Sequence, residues 1–135
     1  MNKVLVVFGG DSDEKEISAL SATSILKNIS NDFSARKINL NDLDLNLLDD
    51  EIIFIAVHGK GGEDGHLQKA LETKNIRFTG SGSDATKKCW DKHLSKNILM
   101  KNGINTPFSY YFEKSKTDIR EISLAPSKKY FVKQI

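Results

Sequence analysis

The sequence predicts an α/β fold in which helices flank a parallel β-sheet. Two uninterrupted apolar runs, residues 4–8 and 52–57, are typical of parallel strands that are buried on both faces, and we expect both to be central strands. Between them, apolar residues recur at the spacing of a one-faced helix from Ala22 to Ile29. Strand, helix and strand in this order predict a βαβ unit, and strands recurring roughly every 20 to 25 residues predict a doubly wound sheet.

The remaining elements of this first unit follow in order along the chain. A weaker strand is predicted at residues 33–38, and the mixed polar and apolar residues 40–50 predict a loop. Residues 62–75 predict a second helix that begins near Glu63, since carboxylates in the first turn suit the helix dipole. Residues 76–80 predict a short strand.

A third helix is predicted over residues 84–102. Its apolar face carries Trp90 and two further residues at helical spacing, Leu94 and Ile98, and Gly103 is the expected stop. We interpret Cys89 and Trp90 as packing residues of this helix. A glycine-rich turn, GSGSD, precedes it.

The order of elements changes after Gly103. The stretches YYF at 110–112 and YFVKQI at 130–135 predict strands, and a polar segment with helical potential lies between them. Because the last predicted strand has no polar tail after it, we expect the chain to stop inside a domain. The predicted organisation is a first domain at 1–103 and the beginning of a second, incomplete domain at 104–135.

Composition and charge narrow the classes of partner. The 20 basic and 18 acidic residues are mixed along the chain and give a net charge of +2, so nothing indicates a nucleic-acid surface. The N-terminus has roughly six apolar residues before glycine and acid follow, too few for a signal peptide or a bilayer span. Cys89 is the single cysteine, which excludes an internal disulfide and a cysteine-rich zinc site. We expect a cytoplasmic protein without a membrane partner.

The loop after the first strand carries the first candidate site residue. The stretch VFGGDSDEKEIS lacks both the dinucleotide-binding glycine pattern and the lysine of a phosphate-binding loop. Glu14 lies near the first turn of the following helix, at the edge of the sheet where open α/β folds bind ligands, and its carboxylate could bind an ammonium group. The alternative is that Asp11, Ser12 or Asp13 caps the helix, while Glu14 only complements its dipole.

The loop after the strand at 52–57 reads HGKGGEDGHLQ and opens toward the same edge. Its four glycines before His66 are more than a plain connection needs, and His58 at the strand end could reach a ligand. The alternative is a histidine bonded to a backbone carbonyl. Glu63 and Asp64 are expected to serve the next helix. A metal site made of His58, Asp64 and His66 lacks a recognised ligand spacing.

These loops resemble those of the D-alanine–D-alanine ligases. The similarity implies a Rossmann-like (pre-ATP-grasp) domain followed by the start of an α+β ATP-grasp domain. It continues through GINTP to the final FVKQI, where Gln134 stands at a position that is usually proline in the family. The matching segments, in order, are GGDSDEKEIS at 9–18, HGKGGEDGHLQ at 58–68, TGSGSDA at 79–85 and DKHLSK at 91–96.

The resemblance assigns roles to five residues. It implies that Glu14 is a catalytic-site residue that binds the ammonium group of the first D-alanine, and that His58 lies beside the same substrate. Ser18 would support the substrate loop. Lys92 and Lys133 would contact ATP phosphates, a role suited to a lysine point charge; from composition alone, they would be a solvated helix lysine and a strand-edge lysine.

The reaction implied by the resemblance uses ATP. ATP phosphorylates the carboxylate of the first D-alanine, and the amine of the second D-alanine attacks the acyl phosphate to form the dipeptide used in peptidoglycan. Mg²⁺ would stabilise the transferring phosphoryl group, with its ligands expected beyond residue 135. The family suggests a homodimer. The alternatives are a non-catalytic module that binds a small ligand and a ligase that joins D-alanine to D-lactate or D-serine.

Overall fold

The computed structural model describes residues 2–112, which fall into two compact units divided between Trp90 and Asp91. The predicted strand at 130–135, the segment before it and Lys133 lie outside the described residues. The predicted domain boundary at residue 103 stays a prediction. The first unit contains β1 (Asn2–Phe8), α1 (Lys15–Asn28), β2 (Phe33–Asn39), β3 (Ile52–Ile55), α2 (His66–Thr73) and α3 (Ser83–Trp90); the second contains α4 (Lys92–Lys101).

The first unit is built on a parallel sheet with strand order β2-β1-β3. Val4 pairs with Ala35 of β2 on one side and with Ile52 of β3 on the other. The α/β fold with a parallel sheet is therefore confirmed, and β1 is its central strand. The residues of β1 from Val4 to Val7 are all buried, as the apolar run predicted.

Helices cover both faces of this sheet. On one face Val4 and Val6 pack in a cluster with Ala22 of α1. On the other face the alternate β1 residues share a cluster with Leu67 and Leu71 of α2. Alternation along a strand sends successive side chains to opposite faces, so a continuous apolar run is the pattern that a strand between two helical layers requires.

The segment after α2 forms less regular structure than predicted. Among the described residues β3 lies at the edge of the three-stranded sheet rather than in its centre. Residues 76–80 are not a regular strand: the segment meets β3 at one isolated bridge, between Ile53 and Phe78. Asn75 and Gly80, with φ of 55° and 103°, turn the chain at either end of this segment.

Two predicted helices have different bounds. α2 begins at His66 rather than near Glu63, because Gly65 adopts a left-handed conformation with φ of 86° directly before it. The predicted single helix at 84–102 is wrong, since the chain is extended at Asp91. The Asp91 carboxylate accepts a hydrogen bond from the backbone N–H of Leu94 at 2.9 Å, so it caps a new helix.

Three further expectations have mixed outcomes. The loop at 40–50 is confirmed apart from a short 3₁₀ turn at its start, and all of its leucines except the exposed Leu47 pack against the core. Residues 110–112 do not form a strand among the described residues, and the ring of Tyr111 stacks on His93 at 4.2 Å. Cys89 is exposed, so its predicted packing role is wrong, whereas Trp90 is half-buried.

An ion pair joins β2 to the residue that precedes β3. Arg36 of β2 donates from Nε and Nη2 to the carboxylate of the buried Glu51, at 2.7 and 2.9 Å. The hydrogen bond to Glu51 raises the pKa of the Arg36 guanidinium.

None of the helices in residues 2–112 has the length and apolar character needed to traverse a bilayer.

Candidate functional site

The two glycine-bearing loops lie side by side at the carboxyl edge of the sheet. Their strands are parallel neighbours, so the loop after β1 and the loop after β3 leave the sheet at the same edge. The pairing extends past β3, because Ala56 donates its backbone N–H to the carbonyl of Val7 at 2.8 Å. This arrangement brings Glu14 and His58, which are 44 positions apart in the sequence, to one edge.

Ser18 links the two loops from below. Its hydroxyl accepts a hydrogen bond from the backbone N–H of Gly9 at 2.8 Å and donates to the carbonyl of Ala56 at 2.7 Å. The side chain is fully buried. One helical serine therefore fixes the end of β1, the first turns of α1 and the end of β3 relative to one another.

The Glu14 carboxylate lies against the second loop. Glu14 occupies the position before α1, and its side chain makes no capping hydrogen bond. A Cβ built on Gly59 would lie 2.9 Å from Glu14 Oε2, and Gly59 has φ of 71°. Glycine at this position therefore leaves room for the carboxylate next to His58, and Glu14 is exposed to solvent.

Ser12 joins the Glu14 turn to the backbone of His58. Its hydroxyl donates to the carbonyl oxygen of His58 at 2.8 Å and accepts from the N–H of Glu14 at 3.3 Å. Asp11, another of the three capping candidates, accepts a hydrogen bond from Asn41 at 2.9 Å. The positions of Glu14 and His58 are consequently coupled through a single hydroxyl.

The His58 ring is held between two polar side chains. Its Nε2 lies 3.0 Å from the hydroxyl of Ser21 on α1, and its Nδ1 lies 3.8 Å from Oε1 of Glu63. Among the described residues, the ring therefore has side-chain neighbours, whereas the alternative interpretation was a hydrogen bond to a backbone carbonyl. About 37% of the side chain is exposed, so a ligand at this edge can reach it.

The acidic end of the second loop shapes the loop itself. Asp64 accepts hydrogen bonds from the backbone N–H groups of Gly61, at 2.8 Å, and His66, at 3.1 Å. Gln68 donates to the carbonyl of Gly62 at 2.7 Å from a buried position. A Cβ on Gly62 would lie 2.4 Å from the carbonyl oxygen of Val57, so the loop folds back on its strand too closely for any side chain.

The electrostatics of Asp64 follow from this role. Desolvation, the largest single effect, would raise the pKa of the Asp64 carboxyl, but the backbone N–H groups of Gly61 and His66 and the His66 side chain together outweigh it and lower the pKa. The hydrogen bonds of the loop therefore favour the ionised form of Asp64. Asp64 also pairs with His66 Nδ1 at 3.1 Å.

Within the described part of the chain, no three potential ligand side chains come together in a way that could hold a metal ion. Lys92 is exposed at the first position of α4, in the second unit. Lys133 lies outside the described residues.

Sequence reasoning identified Glu14, Ser18 and His58 but missed Ser12 and Ser21. One signal for Ser21 is present in the sequence, since it follows Ser18 by three positions, a spacing that places both on one face of α1, and it follows Glu14 by seven. Ser12 carries no comparable signal, because its bond to His58 depends on how two distant loops meet. The assembled edge offers a carboxylate and an imidazole to a small polar ligand.

Sequence comparison relates the chain to known enzymes. No family model matches it. Among curated proteins, the D-alanine–D-alanine ligase of Azoarcus sp. (strain BH72) is 38% identical over 109 residues, which cover 78% of this chain and 36% of that protein. The ligase of the same name from Pelagibacter ubique is 37% identical over 128 residues, 90% of this chain and 41% of that protein. The chain therefore spans less than half the length of these relatives.

Solved structures give the same relationship. The D-alanine–D-alanine ligase of Bacillus anthracis matches with a TM-score of 0.73 and 36% identity, over 80% of this chain and 37% of that one. The same ligase complexed with ATP matches with a TM-score of 0.75 and 31% identity, over 90% and 43%. The VanG D-Ala:D-Ser ligase of Enterococcus faecalis matches with a TM-score of 0.70 and 25% identity, over 84% and 46%.

Proposed function

We propose that this chain, a relative of the D-alanine–D-alanine ligases, forms the first-substrate part of an ATP-dependent ligase that joins two D-alanines. The contact that carries the proposal is the placement of the Glu14 carboxylate against Gly59, directly beside His58. These are the two residues to which the family pattern assigns the first D-alanine. The similarity to D-alanine–D-alanine ligases over most of this chain supports the same assignment.

The chemistry asked of this edge is recognition of an amino acid. Glu14 accepts hydrogen bonds from the substrate ammonium group, a charge-assisted contact that contributes about 1.5–3 kcal/mol. His58 borders the same substrate, and Ser18 keeps the two loops in register through Gly9 and Ala56. Holding the first D-alanine in one orientation lowers the entropic part of the barrier to the reaction of its carboxylate.

The reaction proceeds in two steps at that carboxylate. A carboxylate oxygen attacks the γ-phosphorus of ATP, which breaks the bond to ADP and leaves an acyl phosphate. The amine of the second D-alanine then attacks the carbonyl carbon, loses a proton and expels inorganic phosphate. The dipeptide serves peptidoglycan synthesis, and the use of ATP agrees with a cytoplasmic location.

Two lysines are proposed for the nucleotide. Lys92 is an exposed cation at the start of α4, which fits a contact with a phosphate oxygen, and Lys133 is assigned the same role by the family pattern alone. The family pattern implies that the Mg²⁺ ligands lie beyond residue 135. Mg²⁺ would supply charge stabilisation to the phosphoryl group when bound.

A second candidate is a ligase with a different acceptor. The similarity to a D-Ala:D-Ser ligase favours it, since the first substrate would be the same D-alanine and Glu14 and His58 would keep their roles. A non-catalytic small-ligand module would use the same edge without turnover. The homodimer stays a prediction.

The test is D-alanine-dependent phosphate release by the intact product of the native reading frame. With D-alanine as the sole amino acid, we expect phosphate and D-alanyl-D-alanine in equal amounts, the dipeptide being identified by mass spectrometry. D-serine and D-lactate are offered beside D-alanine as competing acceptors. Preferential capture of one of them would replace the D-alanine–D-alanine assignment with the second candidate, and no release with any acceptor would leave a binding module.

A further inference from the structure

Ser21 makes an unusual choice of partner for a serine inside a helix. Serine and threonine in helix interiors commonly bond back to the carbonyl four residues earlier, and Thr23 on the same helix does so with Ala19 at 2.9 Å. The hydroxyl of Ser21 lies instead 3.0 Å from Nε2 of His58, a residue 37 positions away. The bond reaches from α1 to the end of the neighbouring strand, where it meets a ring at the candidate site.

The two partners of the ring act differently on its proton. A neutral imidazole carries one proton, and the bond made by one nitrogen decides the role of the other. A hydroxyl can donate or accept and so does not select a tautomer. Glu63 accepts only, and its Oε1 lies 3.8 Å from Nδ1, so its charge favours a proton on Nδ1.

We propose that Ser21 is the positioning residue of His58: its hydroxyl donates to Nε2 and orients the ring, and the Glu63 carboxylate selects the tautomer in which the proton of the neutral ring is on Nδ1. Ser12 completes the arrangement by holding the backbone carbonyl of the same histidine at 2.8 Å. Two serines on either side of Glu14 thereby set the backbone and the ring of His58 independently. The consequence for binding the first D-alanine rests on the function proposed above, whereas the tautomer does not.

The tautomer is measured on the intact native chain labelled with ¹⁵N-histidine. Long-range ¹H–¹⁵N correlation separates protonated from unprotonated ring nitrogens, and a His58→Gln variant assigns the signal by its loss. In the unmodified protein at a pH where the ring is neutral, we expect the proton on Nδ1. Ser21→Ala should leave the proton on Nδ1 but shift the Nε2 resonance, because Nε2 loses its hydrogen bond, and Glu63→Gln should shift the proton toward Nε2.

Two matched variants separate the hydroxyl from the packing of the helix. Ser21→Thr keeps the hydroxyl and should keep the parent pattern. Ser24→Ala, at an exposed position about one turn further along α1, should change nothing. A proton on Nε2 in the unmodified protein, an unaltered ring in Ser21→Ala, or loss of the pattern in Ser21→Thr would each overturn the proposal.

Kinetics test the positioning role itself. Ser21→Ala should raise the KM for the first D-alanine about two- to tenfold, the effect of losing one neutral hydrogen bond, with a smaller change in kcat. A shifted Nε2 resonance in Ser21→Ala with an unchanged KM would overturn the positioning role. If the unmodified protein turns over no D-alanine, the proposed function fails, and the NMR result still decides the tautomer.

Discussion

Replacement of Ser18 by alanine tests the idea that one buried hydroxyl joins the two loops of the candidate site. The substitution removes the acceptor of the Gly9 N–H and the donor to the Ala56 carbonyl, at 2.8 and 2.7 Å. Both backbone groups lie where the serine is fully buried, so water does not readily replace the hydroxyl. The helix itself tolerates alanine better than serine.

The magnitude follows from these opposing effects. Each buried backbone group left without a partner costs about 1–3 kcal/mol. Alanine in the helix interior returns up to about 0.5 kcal/mol through its higher helix propensity. We therefore expect Ser18→Ala to lower the free energy of unfolding by about 2–5 kcal/mol, a large part of the 5–15 kcal/mol typical of a domain.

The assay is urea unfolding of the native chain followed by far-ultraviolet circular dichroism. The midpoint of the transition assigned to the first unit should fall, with an unchanged dependence on urea concentration. Ser24→Ala on the exposed side of the same helix is the matched control and should lie within about 0.5 kcal/mol of the parent. A Ser18→Ala variant as stable as this control would refute the idea that the hydroxyl joins the loops.

Two further substitutions test the second loop. Asp64→Asn should make the free energy of unfolding fall less steeply as the pH is lowered below 3.8. The pKa of Asp64 in the folded protein lies below its ordinary value of 3.8, so the carboxylate stabilises the fold above pH 3.8. That stability is lost as the pH falls through the folded-state pKa. Acid unfolding followed by circular dichroism measures the loss of stability, with Asp13→Asn at an exposed position as the control. The same loss of stability with falling pH in Asp64→Asn and the parent would contradict the prediction. Gly62→Ala should destabilise the protein by about 1–3 kcal/mol, because its Cβ would meet the Val57 carbonyl oxygen at 2.4 Å. Gly82→Ala is the control in thermal unfolding, because neither glycine has a positive φ and a Cβ on Gly82 would meet only the end of the Glu72 side chain, at 2.8 Å; equal losses in both variants would contradict the steric explanation.

The parts of the fold that the sequence predicts well depend on burial over a whole element. The run at 4–8 predicts β1 because a strand between two helical layers must be apolar at every position, and this is where Val4 to Val7 are buried. The break at Asp91 escapes the same reasoning. Trp90, Leu94 and Ile98 keep a spacing of four through it, and one side-chain hydrogen bond to Leu94 decides that a new helix begins there.

Some residues of the candidate site are likewise predictable from the sequence, and others are not. Glu14 and His58 are predictable because each follows a strand at the edge where parallel sheets bind ligands. The bonds that place them are not, since Ser12 meets the His58 carbonyl across 46 positions of sequence and only the pairing of β1 with β3 brings them together. Asp64 was assigned to the following helix, whereas its main described contacts are backbone N–H groups on both sides of its own loop.

The most direct test of the central claim is kcat/KM for the first D-alanine in a Glu14→Gln variant of the intact native chain. Glutamine keeps the size of the side chain and removes the charge that faces the substrate ammonium group, while Glu16→Gln removes an exposed charge one half-turn away. We expect kcat/KM for the first D-alanine to fall about ten- to hundredfold in Glu14→Gln, and to be unchanged in Glu16→Gln. Equal values in the two variants would contradict the assignment of this edge to the first D-alanine.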